Sequence, residues 1–231
     1  MIETETTGRV RTIRFARPEA RNALTWAGLE ALEAAVTEAN APVVVLEGAG
    51  SAFCAGADLD LVADIDRTEA EDFARLGQRV ARALESTPAI TVAAIDGAAR
   101  GGGLELALAC DLRIGTPAAT VGEPGVTFGL FGAWGGTVRL PRIVGEGNAL
   151  DLACTGRVID AEAAHRMGLL SRVVDDPVQV ATAMADHPPE TLEVLKARLR
   201  DDGDRPVQEE REATAFGRLV EQYGDGIADR R

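Results

Sequence analysis

The chain has 231 residues, and its 37 acidic and 24 basic side chains give a formal net charge of −13. This length allows one domain with a full core, and 46% hydrophobic with 26% charged residues is typical of a folded globular protein. Because an acidic chain repels phosphodiester backbones and no apolar run approaches the roughly 18 residues that span a bilayer, we expect neither nucleic acid nor a membrane as a partner.

Predicted strands and helices alternate in the first part of the chain. β-branched and polar residues at 10–15 predict a half-exposed strand, and a helix is predicted from Thr25, an N-cap candidate, to Asn40. Continuous apolar runs at 43–46 and 90–95 predict strands that are covered on both faces. This alternation indicates an α/β core. Further helices are predicted at 69–84 and 104–109, and short strands at 112–114 and 120–122.

The chain after about Trp134 is predicted to be mostly helical. Asp160 precedes a capped helix start, and amphipathic helices are predicted at 191–200 and 208–220. Such helices either pack against another subunit or expose a solvated face, and the pattern does not decide between the two. Since no long linker interrupts the chain, we expect one domain over residues 1–231, with a core to about 190 and a C-terminal helical region from about 191 to 231.

Histidines and cysteines narrow the possible chemistry. The two histidines are far apart, which disfavours a metal site and favours carboxylates as acids and bases. The three cysteines, Cys54, Cys110 and Cys154, are widely spaced and resemble buried thiols of a reducing compartment. The first residues are acidic and polar where a targeting peptide would be basic and apolar. We therefore expect a cytoplasmic protein without a metal.

Two segments rich in small residues each follow a predicted buried strand. They are residues 52–59 and the triple glycine Gly101–Gly102–Gly103. Small residues let a backbone approach a ligand closely, and the triple glycine also begins a helix, whose first N–H groups lack intrahelical partners. Side by side, two such segments could hold a developing oxyanion. Taken singly, each is also consistent with a tight turn that binds nothing.

Ordered motifs run along nearly the whole chain, at residues 17–24, 53–59, 96–111, 134–141, 152–156 and 161–174. Taken together, these motifs resemble the enoyl-CoA hydratase/isomerase family, or crotonase superfamily. The resemblance implies a spiral of strand–strand–helix (ββα) repeats within the α/β class and a C-terminal helical region that holds homotrimers or dimers of trimers together. It also implies an acyl-CoA substrate, so that coenzyme A belongs to the substrate and no separate cofactor is expected.

The resemblance also assigns roles to single positions. The backbone N–H groups of Ala57 and Gly102 match the family's oxyanion hole for the thioester carbonyl. Lys196 either meets the phosphates of coenzyme A or, by default, is exposed. The stretches that line the family's coenzyme A site match Arg21, Ala23, Ala55, Asp58 and Leu59. For Arg21, an exposed side chain that binds no ligand is an equally good interpretation.

Two carboxylates are the candidate catalytic groups. Glu105 follows Gly102 by one helical turn and matches the glutamate that helps to hold water in the hydratases, although an acid in a first turn also suits the helix dipole. The family's second glutamate is missing, since Gly125 stands in its place, and Ala133 offers no acid either. Glu123 lies two residues earlier, about 6–7 Å away along an extended segment, and is either a substitute acid or an exposed turn residue.

Three functions remain open from the sequence. The first is hydration of a 2-enoyl-CoA, with Glu105 positioning water. The second is isomerisation of an enoyl-CoA, or another enolate reaction that needs a single carboxylate. The third is binding of acyl-CoA with weak or no catalysis, because Gly125 replaces the second glutamate.

Overall fold

Two sheets form the centre of the fold in the computed structural model, which describes residues 1–228. The larger sheet has six strands and the smaller has four. In chain order the strands are β1 (Ile2–Thr7), β2 (Val10–Phe15), β3 (Val43–Gly48), β4 (Ala52–Cys54), β5 (Ile90–Ile95), β6 (Ala98–Arg100), β7 (Leu112–Gly115), β8 (Thr120–Gly122), β9 (Val158–Asp160) and β10 (Arg172–Val173).

Helices connect and cover these strands. Short 3₁₀ helices occupy Pro18–Ala20 and Pro124–Phe128. Within the described residues, no helix combines the length and the apolar character needed to cross a bilayer. In chain order the α-helices are α1 (Trp26–Thr37), α2 (Leu59–Asp64), α3 (Arg67–Ser86), α4 (Gly102–Ala109), α5 (Gly136–Val144), α6 (Glu146–Thr155), α7 (Ala161–Arg166), α8 (Pro177–Ala185), α9 (Pro189–Leu199) and α10 (Arg205–Ala228).

Successive ββα units give one strand to each sheet. The larger sheet has the order β1-β2-β3-β5-β7-β10 and the smaller one β4-β6-β8-β9. Every pair is parallel except β1 with β2 and β8 with β9. The predicted α/β class and ββα repeat are therefore confirmed. Because parallel strands end at the same edge of a sheet, the segments after β4, β6 and β8 lie together.

The apolar run in β3 is buried because both of its faces are covered. Val44 and Leu46 belong to a core cluster that includes side chains of α1 and α3. Val43 and Val45 belong to a second cluster that includes side chains of α8. All four valine and leucine side chains are fully buried, as expected for a central strand of a parallel sheet.

Most predicted elements are present with small changes at their ends. The strands at 10–15, 90–95 and 120–122 have the predicted bounds. The helix after Thr25 is confirmed, and the Thr25 hydroxyl accepts a hydrogen bond from the N–H of Gly28. Asp160 likewise caps α7 by accepting from Ala163. The predicted C-terminal region includes α9 and α10, and its last positions, 229–231, lie outside the described residues.

The sequence failed to indicate the edge strand β1 and several short strands. After Ile2, β1 consists of exposed polar residues, and among the described strands it pairs with β2 alone. β4 lies within the segment 52–59, which was expected to be a loop, and β9 and β10 lie in the region expected to be mostly helical. Strands of two or three residues, such as β4, β9 and β10, are too short to show a hydrophobic period, so pairing with neighbouring strands determines where they form.

Lys196 is buried, so its expected exposure or contact with a phosphate is wrong. Its Nζ lies 2.8 Å from Asp111 Oδ2 and donates to the carbonyl oxygens of Ala89 (2.8 Å) and Leu84 (3.3 Å). Burial lowers the pKa of Lys196, while the negative charge of Asp111 acts in the opposite direction. Asp111 also binds Arg200 through Oδ1. This cluster fixes α9 to the ends of α3 and α4.

Replacing Lys196 by Met should lower the free energy of unfolding by about 3 kcal/mol, because it removes one partner of a buried ion pair. Urea denaturation measures this change. The matched control is Glu193→Met on the exposed face of the same helix, which should leave the free energy of unfolding nearly unchanged. Equal stability of the Lys196 and Glu193 variants would contradict the anchoring role.

Candidate active site

The segment after β4 and the start of α4 lie in direct contact. Gly56 has a φ of +91°, which favours glycine, and a Cβ there would lie 2.7 Å from the Arg100 carbonyl oxygen. The same Cβ would be 2.8 Å from the backbone nitrogen of Gly102. Only a residue without a side chain permits this approach. The two small-residue segments singled out in the sequence therefore meet.

Hydrogen bonds to residues 21–24 fix the backbone on either side of Ala57. Leu24 donates to the carbonyl oxygen of Gly56 (2.8 Å), and the N–H of Asp58 donates to the carbonyl oxygen of Leu24 (2.9 Å). The N–H of Ala57 takes no part in this pairing. Gly102 is the first residue of α4, where an N–H has no intrahelical acceptor. Both residues line one cavity, where these two donors can bind a negatively charged oxygen.

This reaction cavity has a volume of about 380 Å³ and a largely apolar wall. The wall comes from α2, α3 and the segment before α5, and Phe73 packs edge-on against Trp134 with ring centroids 5.7 Å apart. An apolar wall of this kind suits the hydrocarbon part of an acyl group. Its side chains include Val62, Ile65, Phe73, Leu130 and Trp134.

Glu105 lies on α4 with 2% of its surface exposed. Its Oε1 accepts hydrogen bonds from the backbone N–H groups of Trp134 (2.9 Å) and Gly136 (2.5 Å). Burial raises the pKa of Glu105 to about 7, and the two N–H donors and the charge of Arg139 oppose that rise. The carboxyl is thus held in place, and it gains or loses its proton near neutral pH, which suits a general acid or base.

Glu123 reaches the same cavity, so its alternative as an exposed turn residue is wrong. It follows β8 directly and is 6% exposed. Within residues 1–228, neither carboxyl oxygen has a hydrogen-bond partner. Burial, together with the negative charge of Glu105, raises the pKa of Glu123 to about 8.

Gly125 also lines the cavity, as expected for the position of the family's second acid. A Cβ on Gly125 would lie 3.2 Å from the carbonyl carbon of Leu130 and 3.2 Å from Cα of Phe131. A longer side chain would therefore require the 130–131 backbone to move. The carboxyl of Glu123 thus enters the cavity while the neighbouring position offers little space.

The five predicted coenzyme A positions separate into two groups. Arg21, Ala55 and Leu59 line the cavity, whereas Ala23 is buried and Asp58 lies outside the lining. Asp58 caps α2 and forms an ion pair with Arg17 at 2.5 Å, and this hydrogen bond lowers the pKa of Asp58. Asp58 thus has a structural role in capping α2, while contact of Ala23 and Asp58 with coenzyme A stays a prediction.

Sequence reasoning missed the residues that anchor Glu105. A Cβ on Gly132 would lie 2.9 Å from Cδ of Glu105, and a Cβ on Gly136 would lie 2.8 Å from its Oε1. These glycines leave the space that the carboxyl occupies, and the backbone beside them supplies its donors. The cluster of glycines between 132 and 136 was the available signal, but it does not reveal which side chain the space accommodates.

Comparisons with known proteins agree on one family. The family model described as "Enoyl-CoA hydratase/isomerase" matches residues 5–224. The crotonyl-CoA hydratase of Syntrophomonas wolfei is 42% identical over 163 residues, which are 68% of this chain and 63%, less than two thirds, of that relative. The short-chain-enoyl-CoA hydratase of Clostridium acetobutylicum is 38% identical over 184 residues, 78% of this chain and 70% of the relative.

A solved structure extends the match to the complete fold. The crystal structure of an enoyl-CoA hydratase from Bacillus anthracis superposes with a TM-score of 0.92 at 32% identity. The superposition covers 100% of this chain and 96% of that one. The sheets and helices described above thus have the arrangement of a crotonase fold.

The two buried carboxyls should make stability fall as pH rises. Their pKa values lie above the ordinary carboxyl value in the folded chain, so the folded state binds protons more tightly than the unfolded state. Stability is full below about pH 4.5 and is lost as the pH rises through about 7 to 8. Glu123→Gln keeps the shape without the charge and should flatten this fall.

Melting temperatures at intervals between about pH 5 and pH 9 measure the effect. Glu30→Gln, which removes an exposed carboxyl on α1, is the control and should follow the unmodified chain. Parallel curves for the unmodified chain and the Glu123 variant would show that Glu123 does not titrate in the folded state as described.

Proposed function

Because the chain belongs to the enoyl-CoA hydratase/isomerase family, we propose that it adds water across the double bond of a 2-enoyl-CoA thioester. Coenzyme A enters as part of the substrate, and no resident cofactor or metal takes part. The observation that supports hydration most strongly is the meeting of a buried carboxyl, Glu105, with the backbone N–H groups of Ala57 and Gly102 around one cavity.

The two N–H groups stabilise the charge that develops during addition. When the oxygen of water attacks the β-carbon, the electrons of the double bond move toward the thioester and place negative charge on its oxygen. Ala57 and Gly102 donate to that oxygen from a fixed backbone, so no reorganisation is needed as the charge forms. Losing one donor of this type costs on the order of 10²–10³ in rate.

Glu105 accepts the proton of the attacking water. The N–H groups of Trp134 and Gly136 bind Oε1, which fixes the orientation of the carboxyl and leaves Oε2 for a water molecule in the cavity. The pKa of about 7 lets the group accept and release a proton near neutral pH. The apolar wall excludes other water from the enolate.

Isomerisation of an enoyl-CoA is the second candidate, and the glycine at position 125 favours it. Moving a double bond requires one carboxyl to carry a proton between two carbons, and a site without the family's second acid could still perform that reaction. Both reactions use the same oxyanion donors. The product formed from a 2-enoyl-CoA distinguishes them, since only hydration consumes the conjugated double bond by adding water.

Assembly and location are also proposals. We propose homotrimers or dimers of trimers in the cytoplasm, with the C-terminal helices at the subunit contacts. Exposed apolar side chains on α9 and α10 support the assembly, since Leu199 is 83% and Phe216 is 68% exposed. The three free thiols support a reducing compartment.

The purified chain should hydrate crotonyl-CoA, seen as a loss of enoyl absorbance, and Glu105→Gln should lower kcat by about 10²–10⁴-fold. The amide keeps the size of the side chain but cannot accept a proton. Glu30→Gln, which changes an exposed carboxyl on α1, is the control and should retain the full rate. Calorimetry with butyryl-CoA should show that both variants still bind the thioester. No hydration above the buffer rate, with binding intact, would contradict the proposal, and full activity of the Glu105 variant would exclude Glu105.

A further inference from the structure

Glu123 is a buried carboxyl that the mechanism above does not use. It is 6% exposed, and neither of its oxygens finds a donor among the residues that the structure describes. Buried polar groups are almost always hydrogen-bonded, because an unpaired one loses its hydration without compensation. A partner from outside the chain, such as substrate or water, would supply the missing interaction.

The position of Gly132 shows how close the two glutamates are. A Cβ at Gly132 would lie 2.9 Å from Cδ of Glu105 and 3.1 Å from Oε2 of Glu123. These two atoms are therefore no more than about 6 Å apart, on either side of one point in the cavity wall. That spacing allows a substrate carbon or a water molecule to contact both carboxyls.

The surroundings of the two carboxyls determine which one holds a proton. Two like charges at this distance in a buried site disfavour each other, so one group stays neutral. Glu105 accepts from two N–H groups, which favour its charged form. Glu123 has no donor within residues 1–228 and also faces a second, apolar chamber, which Leu140 and Pro141 help to line. The proton therefore resides on Glu123.

The local backbone explains how Glu123 takes the place of an acid at position 125. Glu123 ends the extended segment with φ −115° and ψ 71°, and Pro124 begins the 3₁₀ helix. The chain therefore changes direction before Gly125. The displacement of about 6–7 Å, which holds for a fully extended segment, does not apply to the Glu123 carboxyl. At Gly125 itself, the backbone of Leu130 and Phe131 limits the space for a side chain.

On the basis of the hydration proposed above, we propose that Glu123 is the second catalytic carboxyl and donates the proton that the α-carbon receives. The water O–H bond breaks as its oxygen bonds to the β-carbon, and that proton passes to Glu105. The enolate then collapses as the Glu123 O–H bond breaks and a C–H bond forms at the α-carbon. Transfer of the proton from Glu105 to Glu123 restores the starting state, so the net change is the addition of one water.

Exchange of α-protons tests Glu123 separately from hydration. Butyryl-CoA is saturated and cannot be hydrated, yet an enzyme that protonates the α-carbon should exchange its α-hydrogens for deuterium in D₂O. NMR or mass spectrometry measures this exchange. We expect Glu123→Gln to lower both α-exchange and crotonyl-CoA hydration by at least about 10²-fold. Glu105→Gln should lose hydration but keep α-exchange, and Glu30→Gln, on the exposed face of α1, should keep both.

Glu123→Asp provides a second variant that keeps the acid but shortens its reach by one methylene. It should fold like the unmodified chain, bind butyryl-CoA and lose most of the α-exchange. If Glu123→Gln and Glu123→Asp both exchange and hydrate at the unmodified rate, the role of Glu123 is wrong and the hydratase proposal stands. If the unmodified chain exchanges through Glu123 but does not hydrate crotonyl-CoA, the hydratase proposal fails while the role of Glu123 stands.

Discussion

The site depends on the anchoring of Glu105 by the backbone at the start of α5. The N–H groups of Trp134 and Gly136 converge on one carboxyl oxygen, and this is possible because Gly132 and Gly136 have no side chains to occupy that space. The same contact joins α4, which carries Gly102, to α5. A shift of either helix would therefore move the carboxyl relative to the oxyanion donors.

Parallel strand ends bring the components of the site together from distant parts of the chain. β4, β6 and β8 are neighbours in the smaller sheet, and the segments that follow them carry Ala57, Gly102 and Glu123. Each ββα unit thus contributes one functional group at the same edge. A buried carboxyl such as Glu123, which has no hydrogen-bond partner among residues 1–228, costs stability, and such costs are characteristic of functional sites.

The sequence predicted the fold and the oxyanion segments better than it predicted the carboxyls. Long apolar runs such as Val43–Leu46 indicate buried strands because burial on both faces leaves a clear pattern. The family resemblance assigned roles to Ala57, Gly102 and Glu105, and the structure brings these three residues to one cavity. The burial of Glu123 was not predictable, because it depends on backbone angles before Pro124, and the burial of Lys196 depends on a tertiary contact with Asp111.

A crystal structure with butyryl-CoA bound would test the two-carboxyl site most directly. In that complex we expect the thioester oxygen to lie about 2.7–3.1 Å from the backbone nitrogens of Ala57 and Gly102. We also expect a Glu123 oxygen within about 3.5 Å of the α-carbon, the reach needed for proton transfer. A thioester bound away from these nitrogens, or an α-carbon beyond the reach of Glu123 but in contact with another acid, would contradict this arrangement.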